Sequence, residues 1–373
     1  MKKNRRNTSE VCFCGIYDPS YSRNRVLIHG FEENGYTVVQ CRVDPRKHGG
    51  ISKFFFLTRE YFRVRHHDFD FVIVAFPGHT IVWLARLLFG RPIVFDAFVS
   101  LYDSNVFDRM LYGAKSLHGR LDWLRDYTGA RLADIVLLDT TAHIDYFVKT
   151  FGLPREKFLR VPVGSDERIF HSQAEVCIEE PIIVHFHGTF IPLHGIPYIL
   201  EAARLLVDEP LRFHIVGSGQ ESKRVREEAS KLGIANVDFI NPVPLEQLPG
   251  LIASAQICLG IFGDTSKTMR VVPNKVFEYM LMGKPIITAD SPAIRELFAP
   301  DPPALVLVPP ANAVALAEAV RAFLRDPDRR RNFGEAAANF AATRLTARAI
   351  VANLLAELSV TGAVYASLNR RGI

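Results

Sequence analysis

Cysteine is scarce in this chain. There are five, an odd number with no C-x-x-C pair, which argues against a disulfide framework and fits reduced thiols in a cytoplasm. Long apolar runs are missing too. The most apolar stretch, Phe69 to Gly90, is broken by Asp70, Pro77, Gly78, His79 and Arg86, so it reads as strand, turn and helix and not as a membrane span. There is no low-complexity tract. The chain also lacks a strong excess of charge of one sign: 45 cations against 40 anions leave +5, which gives no argument for a nucleic-acid partner. The opening MKKNRRN carries four cations, but the apolar run after it, Val11 to Tyr17, is too short for a signal peptide.

What is present is a globular composition, 48% hydrophobic and 23% charged, in 373 residues, a length that favours two domains. Short β-rich runs (VCFCGIY, YTVVQC, FDFVIVAF, RPIVF, ADIVLL) alternate with helical patterns such as RNRVLIHGFEENG and HTIVWLARLL. Such alternation predicts a parallel sheet covered on both faces. The pattern pauses at VPVGSDERIFHSQAEVCIEEP, a linker, and restarts with PIIVHF, LRFHIVG, NVDFI, QICLGIF, KPIIT and ALVLV. The expected organisation is an α/β chain of two doubly wound domains, residues 1–172 and 173–345, facing a cleft. A helical tail, 346–373, returns to the first domain, with Ile350, Val351, Leu354, Leu355 and Leu358 marking its buried face.

Four stretches carry a resemblance. VPVGSDERIF, HGTFIPLHGIPYILEAARLL, FHIVGSGQES and NKVFEYMLMGKPIITAD stand in this order over about half the chain. Together they resemble the patterns of retaining glycosyltransferases of family 4. The resemblance implies a GT-B fold of two Rossmann-like domains, with a nucleotide-diphospho-sugar donor held mainly by the second. Gly188, Gly217 and Gly219 sit at strand ends, where a backbone can approach a diphosphate. Glu278, flanked by Lys275, Gly283 and Pro285, is placed to accept ribose hydroxyls, and Asn274 opens the same helix. The family's arginine and lysine beyond the glycine turn are replaced by Thr189 and His194, and Arg270 stands where the family has a glutamate. Lys267, Arg270 and Lys275 are therefore expected to supply the missing charge.

His185 and His187 alternate on a strand, but no cysteine or carboxylate lies close in sequence; no metal site is expected, and His187 reads as a neutral contact to donor or acceptor. In the first domain the resemblance points to the loop after the first strand, with Gly15 and Arg23 as donor contacts. Near the reacting sugar the chain offers Asp96 and Asp103 in place of a family histidine, and His79 at another strand end. KFFFLTREYFRVRHH, residues 53–67, interleaves five aromatics with four cations. It reads first as a helix with an aromatic core stripe and a solvated basic face, and alternatively as a helix lying in a membrane interface.

The expected activity is metal-independent transfer of a sugar, of hexosyltransferase type and with retention, from a nucleotide-diphospho-sugar to the hydroxyl of a glycan, lipid-linked or small-molecule acceptor, without a cofactor. The expected location is the cytoplasm, with peripheral contact to the inner membrane surface as a further reading. A non-catalytic nucleotide-sugar binder is the alternative. A nicotinamide oxidoreductase is disfavoured, because FHIVGSGQES lacks the full G-x-G-x-x-G and no acidic residue ends the next strand.

Overall fold

The computed structural model describes residues 9–172, 181–298 and 304–361; residues 173–180, inside the expected linker, lie outside this set. The chain forms two compact units. One comprises Met1–Asp103, Tyr112–Gly164 and Ala347–Ile373, and the other Ser104–Leu111 with Ser165–Thr346. The division thus falls at Gly164/Ser165, eight residues before the sequence boundary at 172, and eight residues of the N-terminal half are assigned to the second unit.

In the first unit, strands β1 (Glu10–Ile16), β2 (Thr37–Val43), β3 (Phe71–Val74), β4 (Ile93–Phe98), β5 (Ile135–Leu138) and β6 (Phe158–Arg160) form one parallel sheet in the order β2-β1-β3-β4-β5-β6. Helices α1 (Ser22–Glu33), α2 (Ser52–Val64), α3 (Val82–Leu88), α4 (Leu117–Leu132) and α5 (Thr141–Phe151) connect them. β1, β3, β4 and β5 are buried along their whole length, which is why they read as continuous apolar runs and not as alternating ones.

The second unit repeats the architecture with another strand order. β7 (Ile182–His187), β8 (Leu211–Val216), β9 (Val237–Ile240), β10 (Ile257–Leu259), β11 (Ile286–Ala289) and β12 (Val306–Val308) pair as β12-β11-β10-β7-β8-β9, all parallel. Its helices are α6 (Ile196–Leu205), α7 (Ser222–Lys231), α8 (Leu248–Ala253), α9 (Asn274–Leu281), α10 (Pro292–Leu297), α11 (Ala313–Arg325) and α12 (Pro327–Arg344). The order reverses between β7 and β10, the switch point at which doubly wound sheets leave a crevice beyond the strands' carboxyl ends.

The last described helix, α13 (Ala347–Val360), packs in the first unit, where Ile350, Val351, Leu354 and Leu358 join a core with Val11, Phe13 and Phe31. Gly30 of α1 makes this packing possible. A Cβ there would stand 2.3 Å from the Ala347 carbonyl oxygen, far inside contact distance.

The aromatic segment departs from a simple core stripe. Phe54, Phe56 and Tyr61 pack against the core beside buried Leu57, but Phe55 and Phe62 face outward. Five aromatics in nine helical residues cannot all share one face, so the helix phase divides them.

Candidate functional site

β7 delivers HFHG to the switch point, and α9 begins nearby with NKVFEY. Four side chains of these elements form a buried chain of hydrogen bonds. His187 Nε2 lies 2.7 Å from Glu278 Oε2, its Nδ1 lies 3.0 Å from His185 Nε2, and the Tyr279 hydroxyl lies 3.1 Å from the same Nδ1. The carboxylate fixes the tautomer: Nε2–H donates to Glu278, and Nδ1 is the acceptor, with the Tyr279 hydroxyl and His185 Nε2 both within reach of its single lone pair. His187 is therefore not a free contact for a ligand. It orients Glu278 through Oε2, and Oε1 is the carboxylate oxygen that His187 does not engage.

Lys275 lies one turn before Tyr279 on α9. Its side chain is buried, with Nζ 4.0 Å from the centroid of the Phe186 ring, and Nζ has no hydrogen-bond partner among the described residues. Burial pushes its pKa well below that of an ordinary lysine, and Glu278 opposes this in part. His194 closes the same corner edge-on to Phe186, with its own pKa held well below the usual value by burial and then by Lys275. Gly188, at φ +149°, stands between them: a Cβ there would lie 2.9 Å from His194 Cε1 and 3.1 Å from Lys275 Nζ. No side chain caps the start of α9, so its first amides add a partial positive charge.

The glycine turns depart from the expected amide cradle. Gly188 N–H donates to the Val216 carbonyl (3.0 Å), Gly217 N–H to the Ile240 carbonyl (2.9 Å), and Gly219 N–H to Ser222 Oγ (2.6 Å). Their amides are spent on the fold. Glycine is required because the backbones touch: a Cβ on Gly217 would sit 2.0 Å from the Gly188 oxygen, and one on Gly219 2.6 Å from Phe190 N. Thr189 is exposed. Of the expected cations, Lys267 is buried and donates to Ser104 Oγ (2.6 Å), and Arg270 donates to Ser266 Oγ (3.1 Å), both within the second unit. Asn274 is half-buried as the first residue of α9.

Two first-unit candidates need correction. Arg23 is fully buried, and its guanidinium is occupied: Nε and Nη2 grip the Asp96 carboxylate at 2.8–3.1 Å, and Nη1 donates to the Val161 and Pro162 carbonyls at 2.8 Å. The pair ties α1 to β4 and the end of β6, which leaves Arg23 no free donor face for a phosphate and Asp96 no role as a free base. Gly15 is part of β1 at φ +151°. His79 is buried, with Nε2–H donating to the Val99 carbonyl (2.9 Å), and burial pushes its pKa down to about 4. Asp103 is buried as well, with its amide on Ser100 Oγ.

Asp126, which the sequence reading passed over, accepts from Ser100 Oγ (2.6 Å) and from the amides of Leu101 and Tyr102, and so shapes the turn after β4. Burial outweighs these bonds and pushes its pKa up to about 7. Among the described residues no group of three or more His, Cys, Asp or Glu could hold a metal ion, and no helix is long and apolar enough to cross a membrane.

The two parallel six-stranded units define a GT-B fold, and solved structures share it over nearly the whole chain. Sucrose-phosphate synthase from Thermosynechococcus elongatus superposes with a TM-score of 0.71 at 15% identity, covering 97% of this chain and 99% of that one. HepE of Anabaena, solved with UDP-glucose, gives 0.70 at 14% identity, covering 94% and 100%. Residues 167–340 match the family described as Glycosyl transferases group 1. A protein named for a glycosyl transferase of colanic acid biosynthesis, WcaI of Escherichia coli (strain K12), is 29% identical over 147 residues, which are 39% of this chain and 36% of that protein. The chain thus spans about a third of that curated relative.

Proposed function

We propose that the protein transfers a sugar, of the hexose type, from a nucleotide-diphospho-sugar to an acceptor hydroxyl, with retention and without a metal ion. The observation that carries this reading is the buried amino group of Lys275, without a hydrogen-bond partner among the described residues and one turn before the carboxylate of Glu278. Burial disfavours its charged form, and an anionic ligand at this corner would favour that form. The match to glycosyl transferases group 1 covers these residues, and the UDP-glucose of HepE indicates the donor class. Glu278 would accept a ribose hydroxyl on the oxygen His187 leaves open, and Lys275 with the first amides of α9 would face the diphosphate. Charge grows on that diphosphate as the sugar departs, so these groups act most strongly in the transition state. Asp96 is bound to Arg23, and burial makes His79 a weak base, so the route favoured here is one in which the departing phosphate deprotonates the acceptor. The acceptor is a glycan, lipid-linked or small-molecule hydroxyl, and the free cysteines suit the cytoplasm.

Calorimetry with uridine diphosphate and uridine tests the site. Lys275→Ala is expected to weaken the diphosphate about tenfold or more and uridine little, as befits a lost bond to a charged group. Equal loss for both ligands, or none, overturns the assignment. Turnover of UDP-sugars, hydrolysis included, separates an enzyme from a binding protein of the same fold.

A further inference from the structure

α2 and α3 of the first unit carry large apolar side chains that lie exposed among the described residues. On α2 and its preceding residue, Ile51, Phe55 and Phe62 are 86%, 70% and 56% exposed, although they belong to the residue types that most often lie inside. At 100° per residue these three fall within about 40° of one another, so they form a single stripe. On α3, Trp83 and Leu87 are 48% and 75% exposed, one turn apart. The two helices meet through the Phe54 and Trp83 rings, whose centroids lie 5.9 Å apart, and through Tyr61 and Phe89 at 4.9 Å. The five outward residues thus lie on two neighbouring helices joined by these ring contacts.

The charges on α2 are mostly of one sign. From 52 to 65 there are four cations, Lys53, Arg59, Arg63 and Arg65, against the single carboxylate of Glu60. Lys53 Nζ lies over the Phe54 ring at 5.4 Å and the Arg65 guanidinium over the Phe62 ring at 5.1 Å, so their stems run along apolar surface toward their charged ends. Arg59 and Arg63 lie on the other side of the stripe and are exposed, Arg63 with its Nη1 also donating to Glu60 Oε1 (2.8 Å) across one helical turn. Large apolar side chains pointing outward, with Arg65 on one side and Arg59 and Arg63 on the other, suit a surface that is anionic at its rim and hydrocarbon beneath.

We propose that the α2–α3 face is a docking surface for an anionic lipid bilayer, with Ile51, Phe55, Phe62, Trp83 and Leu87 entering the headgroup boundary and Arg59 and Arg63 pairing with lipid phosphates. The charge pattern decides between occupants. A second copy joined face to face would set these cations against their own kind, whereas an anionic leaflet answers them along the roughly 20 Å of α2. A bilayer also accepts protruding side chains without a complementary pocket. This surface belongs to the first unit and the Lys275 corner to the second, so the proposal stands apart from the donor reading except where uridine diphosphate affinity serves as the folding control.

The test uses the full chain and vesicles of phosphatidylcholine alone or with about 30% phosphatidylglycerol. The protein is expected to sediment with the anionic vesicles and not with the neutral ones, and to be released by salt. Trp83 and Trp123 are the two tryptophans, so Trp123→Phe leaves Trp83 as the sole indole, and its emission should shift to the blue on binding. The combined change Phe55→Ser, Phe62→Ser and Leu87→Ser, all at exposed positions, should cut partitioning about tenfold or more while uridine diphosphate affinity, read as a folding control, stays unchanged. Arg59→Gln with Arg63→Gln should also lower it about tenfold. Equal binding to both vesicle types, equal binding by the apolar variant, or self-association that the apolar variant abolishes would each overturn the assignment, the last in favour of a second copy.

Discussion

Burial strips Lys275 of water without giving its ammonium a hydrogen-bonding partner, and this has a consequence in pH. In the unfolded chain a lysine titrates near about 10.4; in the folded protein burial lowers that pKa well below the ordinary value. Between the two values the folded state holds one proton fewer than the unfolded state, so this group lets stability rise with pH across the window and imposes its full cost below it. A diphosphate beside Nζ favours the charged form and draws the proton back. Binding should therefore take up a proton, and diphosphate affinity should fall as pH rises, by at most about tenfold per unit. Calorimetry in two buffers of different ionisation enthalpy between about pH 7.5 and 9, above the titration of the nucleotide's own phosphate, measures the uptake. Lys275→Met should abolish it, and identical heats for the parent in both buffers would contradict the linkage. His187 makes a second prediction. Its Nε2–H fixes Glu278 at 2.7 Å, so His187→Phe should weaken uridine about tenfold and erase the preference for uridine over 2′,3′-dideoxyuridine. His187→Gln, which keeps a donor, should restore part of both. An unaltered preference in the phenylalanine variant would reduce His187 to packing.

At the scale of elements, α13 and α1 depend on the missing side chain of Gly30. Gly30→Ala forces a methyl against the Ala347 carbonyl and Val351, a clash of overpacking that typically costs about 1–3 kcal/mol. Urea unfolding should show the loss, and a midpoint equal to the parent's would mean that the two helices slide apart at no cost. Most of these elements were legible because buried parallel strands read as apolar runs: VCFCGIY is β1 and PIIVHF is β7. β6 escaped because only Phe158 of its three residues is buried, whereas the equally short β10 and β12 stand inside longer apolar runs. Gly188, Lys275 and Glu278 were legible as a strand-end glycine and a helix start. The role of the glycine was not, because only the register of β7 with β8 shows that its amide is already taken by Val216. Arg23 and Asp96 misled for a similar reason. They are 73 positions apart, and nothing local announces that each neutralises the other. The aromatic helix was ambiguous by composition, and only the exposure of Phe55 and Phe62 distinguishes its outer stripe.

Across the whole molecule, the residues proposed to face the donor lie in one unit. His187, His194, Lys275 and Glu278 all belong to the second, whereas the first-unit candidates Arg23 and Asp96 are engaged with each other. A diphosphate needs compensation wherever it binds, and a divalent ion is one common source of it. Here the buried ammonium and the first amides of α9 offer a source built into the chain. Uridine diphosphate should therefore stabilise the protein in the presence of EDTA. At a hundred times Kd the gain is about 2.7 kcal/mol, which for a chain of 373 residues unfolding in one transition corresponds to a rise in Tm of about 3 °C. Transfer from the UDP-sugar should survive the same chelator. The comparison that decides is between EDTA alone and excess magnesium. If the thermal shift or the transfer appeared only with magnesium, the charge supplied by Lys275 would be insufficient, and the metal-independent reading would fall while the assignment of Glu278 to the ribose stood. If both persist in EDTA and vanish in Lys275→Ala, the ammonium does what a bound divalent ion would otherwise have to do.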